Sequence, residues 1–89
     1  MALESKEYSF IHSHNKDQIV EGLIQLYEKD KEIHYMGELE NGVDVYNAYV
    51  FYNTAMLLGT RKIELIGHTE EIKTAKNNLE KILGLRLTE

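Results

Sequence analysis

The sequence predicts a single domain over residues 1–89 of the α/β class, in which strands and helices alternate as βαβαβα. Apolar residues recur with the period of an amphipathic helix in two segments, 17–30 and 69–83. Short runs rich in β-branched and aromatic residues separate these segments, as expected for strands. A chain of 89 residues has room for one modest hydrophobic core, which dimerisation would supplement.

The first strand is predicted at residues 8–14, where the side chains of YSFIHSH alternate between two faces. Asn15 or Asp17 then supplies the side-chain oxygen that caps a helix N-terminus. The helix that follows carries apolar side chains at positions i, i+3, i+4 and i+7, namely Val20, Leu23, Ile24 and Tyr27. Gly22 lies within this helix, and we expect it to allow close packing against a strand. A second strand is predicted at residues 31–39.

Residues 44–58 are compatible with two structures. Asn41-Gly42 between two runs with strand character is a strong signal for a β-hairpin, which would make the domain α+β. The same residues also have apolar side chains at helical spacing, a helix N-cap in Asp44 and a terminating Gly59. Because the hairpin would leave the apolar run TAMLL in a loop without a packing partner, we favour a helix at 44–58.

The last predicted strand covers residues 60–68 and leads into a helix capped by Thr69. Glu70 and Glu71 lie in the first turn of that helix, where the helix dipole favours acids, and Gly84 follows its last turn. The remaining residues, LRLTE, would add a short edge strand or fray. Strands that are connected through helices are expected to be parallel neighbours.

Composition narrows the compartment and the possible chemistry. The chain has no cysteine, which excludes both a disulfide and a thiolate metal site. No window approaches the ~18–20 apolar residues of a membrane span, and the first residues do not resemble a signal peptide. These observations predict a cytoplasmic protein that does not use a membrane as a partner.

The formal charge of -5 is unevenly distributed. Residues 1–58 contain ten acids and four lysines, a net charge of -6, whereas residues 59–89 contain six basic residues and five acids, a net charge of +1. A protein that binds the nucleic-acid backbone usually presents a basic face. This small acidic protein has no basic run, which argues against extensive backbone contacts.

Four stretches nevertheless carry a family resemblance: YSFIHSHNKDQIVEGLIQLYEKD, KEIHYMGELENG, VDVYNAYVFYNTAM and RKIELI. Over residues 8–66 the chain resembles the Alba family, small archaeal chromatin proteins with relatives among RNA-binding subunits. The resemblance implies a two-layer sandwich with a second helix after the second strand. It also implies binding to DNA or RNA, with Lys16 of the Asn-Lys turn contacting the nucleic acid.

The chain departs from the family at the loop after the second strand. That loop is basic in the family, whereas here it reads MGELENG, with Glu38 and Glu40. The basic final β-hairpin of the family is replaced by the helix containing EEIKTAKNNLEK. We therefore keep two hypotheses. The first is a dimeric nucleic-acid-binding accessory protein that contacts the backbone, and the second is an acidic homodimeric protein-interaction module that has lost this binding.

The candidate nucleic-acid-binding residues are Asn15, Lys16, Arg61 and Lys62. Lys16 lies beside the free amides of a helix start, which favour an anion. Arg61 and Lys62 begin a strand and would add to a modest basic patch with Lys73 and Lys76. The alternative is that these side chains are solvated or pair locally with Glu70 and Glu80.

Large aromatic side chains are concentrated in one short segment, at Tyr46, Tyr49, Phe51 and Tyr52. Four rings in seven residues exceed what one buried stripe normally needs. Because aromatic residues are enriched at protein interfaces, we interpret these four as candidate homodimer-interface residues. Core packing alone, or stacking on bases beside positive charge, are the alternatives.

No catalytic motif is recognisable, and we predict neither an enzyme nor a cofactor. The sequence contains no GxSxG, no P-loop and no GxGxxG. His12 and His14 would point to the same side of a strand and could bind a metal together with His34 or His68. Without cysteine or a well-spaced carboxylate set, hydrogen-bonded surface histidines are the more common outcome, so no metal ligand is predicted.

Overall fold

The computed structural model describes residues 2–89, which form an α+β domain with a five-stranded antiparallel sheet and two helices. In chain order the elements are β1 (Glu4–Ser9), α1 (Lys16–Tyr27), β2 (Ile33–Asn41), β3 (Asp44–Phe51), β4 (Thr54–Leu58), β5 (Lys62–Gly67) and α2 (Thr69–Leu83). The order of strands across the sheet is β1-β5-β4-β3-β2. Strands β2 to β5 therefore form a meander, and β1 joins it beside β5.

The helix predicted at 44–58 is wrong, because these residues form β3 and β4. The alternative hairpin at Asn41-Gly42 is correct, since β2 and β3 pair antiparallel with Asn41 opposite Asp44. The TAMLL run is not left in a loop. It forms β4, lies between β3 and β5, and buries every second side chain, which is the period of a strand.

The prediction that neighbouring strands are parallel is also wrong, since all four strand pairings within residues 2–89 are antiparallel. The first helix does not connect adjacent strands. It crosses the sheet from β1 at one edge to β2 at the other. The described element order is therefore βαββββα instead of βαβαβα, and it lacks the helix that the Alba resemblance implies after the second strand. The first strand also ends at Ser9 instead of residue 14.

The turn between β3 and β4 explains why the sequence pattern was misleading. Tyr52 and Asn53 have φ angles of 48° and 64°, in the left-handed region that both central residues of a type I′ turn require. That region favours Asn-Gly and is uncommon for a large aromatic residue. The Tyr-Asn pair therefore gives no turn signal in the sequence, and the segments on either side of it have the apolar spacing of one continuous helix.

The other two predicted helices are confirmed, and their ends show how the sequence specifies them. The Asn15 side chain accepts from the Gln18 amide and the Gln18 side chain accepts from the Asn15 amide, each at 2.9 Å, forming a capping box. The N-cap of α2 is His68 instead of Thr69, and its side chain makes no capping bond. Gly84 ends α2 with a φ of 67°, as predicted.

The core lies between one face of the sheet and the two helices. Buried side chains of α1 and α2 meet alternate strand residues, and the largest fully buried ones include Phe10, Phe51, Leu23, Met56 and Leu79. A Cβ atom at Gly22 would come within 2.6 Å of Leu83 Cδ2, so this glycine permits close packing against α2, not against a strand as expected.

The C-terminal segment closes one end of the sheet. Ser9 and Thr88 exchange two backbone hydrogen bonds of 2.6 and 3.0 Å, and this bridge is the extent of strand pairing by residues 85–89. Leu85 and Leu87 are buried against the core. Within residues 2–89, neither helix combines the length and the hydropathy that crossing a membrane requires.

Candidate interaction surfaces

One face of the sheet is packed against the helices, and the opposite face, here called the open face, is not covered by them. Strand alternation and the pairing registers bring six apolar side chains together on the open face: Tyr46, Ala48, Val50, Ala55, Leu57 and Ile66. They belong to the three adjacent strands β3, β4 and β5. Their neighbours shield most of them only in part, so they form a contiguous half-buried apolar patch.

Tyr46 covers Gly59 at one end of this patch. A Cβ atom at Gly59 would lie 2.7 Å from Tyr46 Cε1 and 3.0 Å from Cδ1, so the ring lies directly on the glycine backbone. The absence of a side chain at Gly59 thus lets the aromatic ring lie against the sheet. Tyr46 contributes ring surface to the open face and is the predicted interface residue that best fits that role.

The other three predicted interface residues are oriented away from the open face or engaged elsewhere. Tyr49 and Phe51 are buried in the core, so their rings contribute almost nothing to the surface of the monomer. Burial raises the pKa of Tyr49, and the nearby Tyr35, whose ring centroid is 5.1 Å away, acts in the same direction. Tyr52 is half-buried in the β3–β4 turn, with its hydroxyl bonded to Asp30.

The β2–β3 hairpin carries the second apolar surface. It holds more than half of the large apolar side chains that are exposed in residues 2–89: Tyr35, Met36, Leu39, Val43 and Val45. Val43 at the tip is 98% exposed and Met36 is 65% exposed. Met36 is the extra residue of a β-bulge, because Tyr35 and Gly37 pair with the consecutive residues Tyr49 and Ala48.

A shallow groove of about 170 Å³ runs between this hairpin and α1. Val20, Ile24 and Tyr27 of α1 form one wall, and Tyr35, Asn47 and Tyr49 form the other. Pockets for drug-sized ligands typically measure about 300–1,000 Å³. The groove therefore has room for an apolar side chain of a partner and not for a whole small molecule.

Acidic residues are concentrated along the same hairpin and the loop before it. Residues 28–44 contain six acids (Glu28, Asp30, Glu32, Glu38, Glu40 and Asp44) and two lysines (Lys29 and Lys31), a net charge of -4 out of the total of -5. We call this segment the acidic edge. The rest of the chain therefore carries a net charge of only -1.

Three of the predicted nucleic-acid-binding residues converge at one end of the sheet, and we call them the basic corner: Lys16, Arg61 and Lys62. Arg61 and Lys62 line a depression together with Asp44 and Tyr46. Lys16 Nζ donates a 2.9 Å hydrogen bond to the carbonyl of Val45, which lies between Asp44 and Tyr46 in the chain.

The basic corner is partly neutralised, and the fourth candidate, Asn15, is used otherwise. Lys62 Nζ lies 3.5 Å from Glu7 Oε2, and Asp44 is part of the same depression as Arg61. The Asn15 side chain caps α1. Lys73 and Lys76 lie on α2 and pair with Glu70 and Glu80, as the local-pairing alternative expected.

The histidines do not assemble a metal site in the part of the chain that the structure describes. No group of three or more His, Asp or Glu side chains in residues 2–89 is arranged to hold a metal ion. His12 and His14 follow β1 in a turn, outside any strand. Nδ1 of His14 is buried without a hydrogen-bond partner among the described residues.

Sequence reasoning missed the residues that make both apolar surfaces, notably Leu57, Ile66 and Met36. A usable signal was present in VYNAYVF, where large apolar residues occur in both phases of the strand period. Strands with this pattern have both faces covered.

Comparison with protein-family models, with curated proteins and with solved structures finds no match to this chain. Its function is therefore inferred from the geometry and chemistry of the surfaces described above.

Proposed function

We propose that the protein is a homodimeric protein-interaction module whose two copies pack together through the open face. The observation that supports this is the apolar patch of Tyr46, Ala48, Val50, Ala55, Leu57 and Ile66 on the open face, which the charged Lys62 and Glu64 of β5 adjoin. An antiparallel sheet face that stays in water normally presents polar residues at these positions. A contiguous exposed apolar patch on a small protein instead marks an interaction surface.

A second copy of the chain is a partner that fits this surface. Two sheets pack face to face about 10 Å apart, and a two-fold axis makes such an interface self-complementary. Lys62 and Glu64 lie on the open face of β5, with Glu64 directly opposite Leu57, so a two-fold axis can bring the lysine of one copy to the glutamate of the other. The acidic edge accounts for -4 of the net charge, and on the open face Lys62 lies 3.5 Å from Glu7 and offsets part of the charge of Glu7 and Glu64, which limits repulsion between the copies.

The oligomeric state in solution tests this proposal. We expect light scattering at micromolar concentration to give the mass of a dimer. Leu57→Lys puts a charge near the centre of the patch and should give a monomer with an unchanged circular dichroism spectrum, because Leu57 faces away from the core. Ile82→Lys is the matched control, since Ile82 is an apolar residue of α2 that is 40% exposed. A monomeric wild type, or a Leu57→Lys variant that stays dimeric, contradicts the proposal.

The basic corner supports a second candidate function, nucleic-acid binding of the kind that the Alba resemblance implies. Lys16 and the adjacent pair Arg61 and Lys62 come from two separate parts of the chain and lie near the ring of Tyr46, which is able to stack on a base. Three cations, one of them near Glu7, provide few phosphate contacts. Binding of this kind would be weak and strongly dependent on salt.

Binding of single- and double-stranded oligonucleotides at ~50 and ~200 mM salt tests the second candidate. Arg61→Ala combined with Lys62→Ala should weaken binding and lower the salt slope by about 1 for each contact removed. Lys73→Ala is the control. It also removes one positive charge per substitution, but it lies on α2 outside the basic corner and should leave binding unchanged. No binding at the lower salt concentration would exclude this function.

A further inference from the structure

We propose that the free edge of β2 binds an extended basic segment of another protein, which adds to the sheet as an antiparallel sixth strand. This inference rests on the proposed function as a protein-interaction module, and it concerns a surface distinct from the open face. Strand addition uses main-chain hydrogen bonds for affinity and side-chain pockets for specificity. The β2 edge is unpaired and borders the groove against α1.

The β2 edge is the longer of the two sheet edges and is unpaired. Within residues 2–89, β2 pairs with β3 on one side and with no strand on the other. It is nine residues long, whereas β1 at the opposite edge has six and is bridged at its end by Thr88. Natural proteins usually protect such an edge, and β2 carries a bulge and acidic residues in place of a covering element.

The groove against α1 supplies a pocket for one apolar side chain. Tyr35 lies at its sheet-side wall and is 43% exposed, and Ile24 on the α1 wall is 40% exposed. A strand added alongside β2 would direct every second side chain to the helix side of the sheet. The side chain opposite Tyr35 would therefore enter the groove and complete the burial of Ile24 and Tyr35.

The acids beyond the bulge select the charge of the partner. Glu38 and Glu40 are two residues apart and share the helix side of β2 with Tyr35, because the bulge at Met36 shifts the alternation by one. An antiparallel partner would thus meet Glu40, Glu38 and Tyr35 with its own alternate residues. Read from its N-terminus, the matching partner has a basic residue opposite Glu40, a second basic residue opposite Glu38 and an apolar residue opposite Tyr35, with any residue between them. Lys-Thr-Lys-Thr-Leu has this pattern.

The same acids disfavour a second copy of β2 as the occupant. Antiparallel self-pairing about Leu39 would oppose Glu38 of one copy to Glu40 of the other, and pairing about Glu38 would oppose two identical acids. Like charges directly opposite each other on a sheet are destabilising. Charge complementarity thus favours a basic segment over self-association at this edge.

The test is a titration of the full chain with fluorescein-labelled peptides. The peptide containing Lys-Thr-Lys-Thr-Leu should bind and shift the NMR amide signals of β2. Three control peptides should bind at least about tenfold more weakly. One has glutamate in place of lysine, one has the reversed order Leu-Thr-Lys-Thr-Lys, and one has proline in place of the threonine between the lysines.

Variants of the protein locate the binding site. Glu38→Lys with Glu40→Lys should weaken binding about tenfold or more. Glu70→Lys with Glu71→Lys, an equal change of charge at the start of α2, should leave it unchanged. Ile24→Glu should also weaken binding by charging the groove. Equal binding of the acidic or reversed peptide, or no effect of the β2 variants, overturns the inference.

The Leu57→Lys variant separates this inference from the proposed dimer. The peptide should bind equally well to this variant, since Leu57 lies on the open face and not at the β2 edge. If the wild type is a monomer but binds the peptide at β2, the dimer proposal fails and the inference stands. If the wild type is a dimer but binds no peptide, the inference alone fails.

Discussion

The Tyr52 hydroxyl donates a 2.6 Å hydrogen bond to the Asp30 carboxylate and thereby ties the β3–β4 turn to the loop between α1 and β2. The Tyr52 amide also donates to the Glu32 carbonyl at 3.1 Å, and the Tyr52 ring packs edge-on against Phe51 with centroids 4.6 Å apart. Together these contacts hold an aromatic residue in a left-handed conformation that is otherwise costly. They stabilise the turn that connects β3 to β4 and thereby favour strands over a helix at residues 44–58.

The first prediction concerns the pH dependence of this contact. The hydrogen bond from Tyr52 lowers the pKa of Asp30, with help from the Glu32 amide. A carboxyl group whose folded pKa is lowered adds stability above its unfolded pKa of about 3.9, and this stability is lost as the pH falls through the folded value. Tyr52→Phe should therefore raise the pKa of Asp30 and be destabilising at neutral pH, with a smaller effect in acid.

NMR titration of the Asp30 carboxyl and urea denaturation at several pH values check this expectation. The same bond raises the pKa of Tyr52, so the stabilisation should also disappear in strong alkali, as the pH rises through the folded pKa of Tyr52 above about 10. Tyr27→Phe on α1 is a suitable control. A stability difference between wild type and Tyr52→Phe that is constant from acid to alkali would argue against this role of the pair.

The second prediction concerns Asn53, whose φ of 64° is in the left-handed region. Asn53→Ala should destabilise the protein by about 1 kcal/mol, because a Cβ without a compensating polar group disfavours that conformation. Asn53→Gly should change the stability by less than about 0.5 kcal/mol, since relief of strain offsets the greater freedom of the unfolded chain. Urea denaturation of the two variants measures the difference, and equal losses would show that backbone conformation is not the cause.

The third prediction tests the contact between Gly59 and Tyr46. Gly59→Ala should destabilise the protein by about 1 kcal/mol or more, because the new methyl group would overlap the Tyr46 ring. In a Tyr46→Ala background the same change should cost much less, which a double-mutant cycle measures. If the cost is the same in both backgrounds, the ring is not what requires glycine at this position.

The fourth prediction concerns Thr54, a fully buried polar residue of β4. Its hydroxyl donates to the Glu71 carbonyl at 3.2 Å and links β4 to the first turn of α2. Thr54→Val keeps the shape but removes the donor, and should cost about 0.5–1.5 kcal/mol in thermal or urea unfolding. Thr54→Ser retains the donor and separates the hydrogen bond from the packing. A Thr54→Val variant as stable as wild type would indicate that the bond contributes nothing.

Local signals in the sequence were sufficient wherever one short segment determines its own structure. The capping box of Asn15 and Gln18 and the αL Gly84 mark ends of α1 and α2, and both involve neighbours a few residues apart. The Asn41-Gly42 hairpin was also readable as an alternative. The sequence does not predict that Lys16 lies near Arg61 and Lys62, because this depends on where β3 and β5 lie in the sheet.

The sequence by itself determined the two amphipathic helices, the strands β2 and β5, and the acidic character of residues 28–44. The tertiary structure decided whether residues 44–58 are helix or strand. Their apolar residues fit the periods of both, but only a strand at 54–58 can form hydrogen bonds with the neighbouring strand β5. It also decided which aromatic rings reach the surface. The burial of each ring depends on which face of the sheet packs against the helices, and the local sequence pattern does not specify that face.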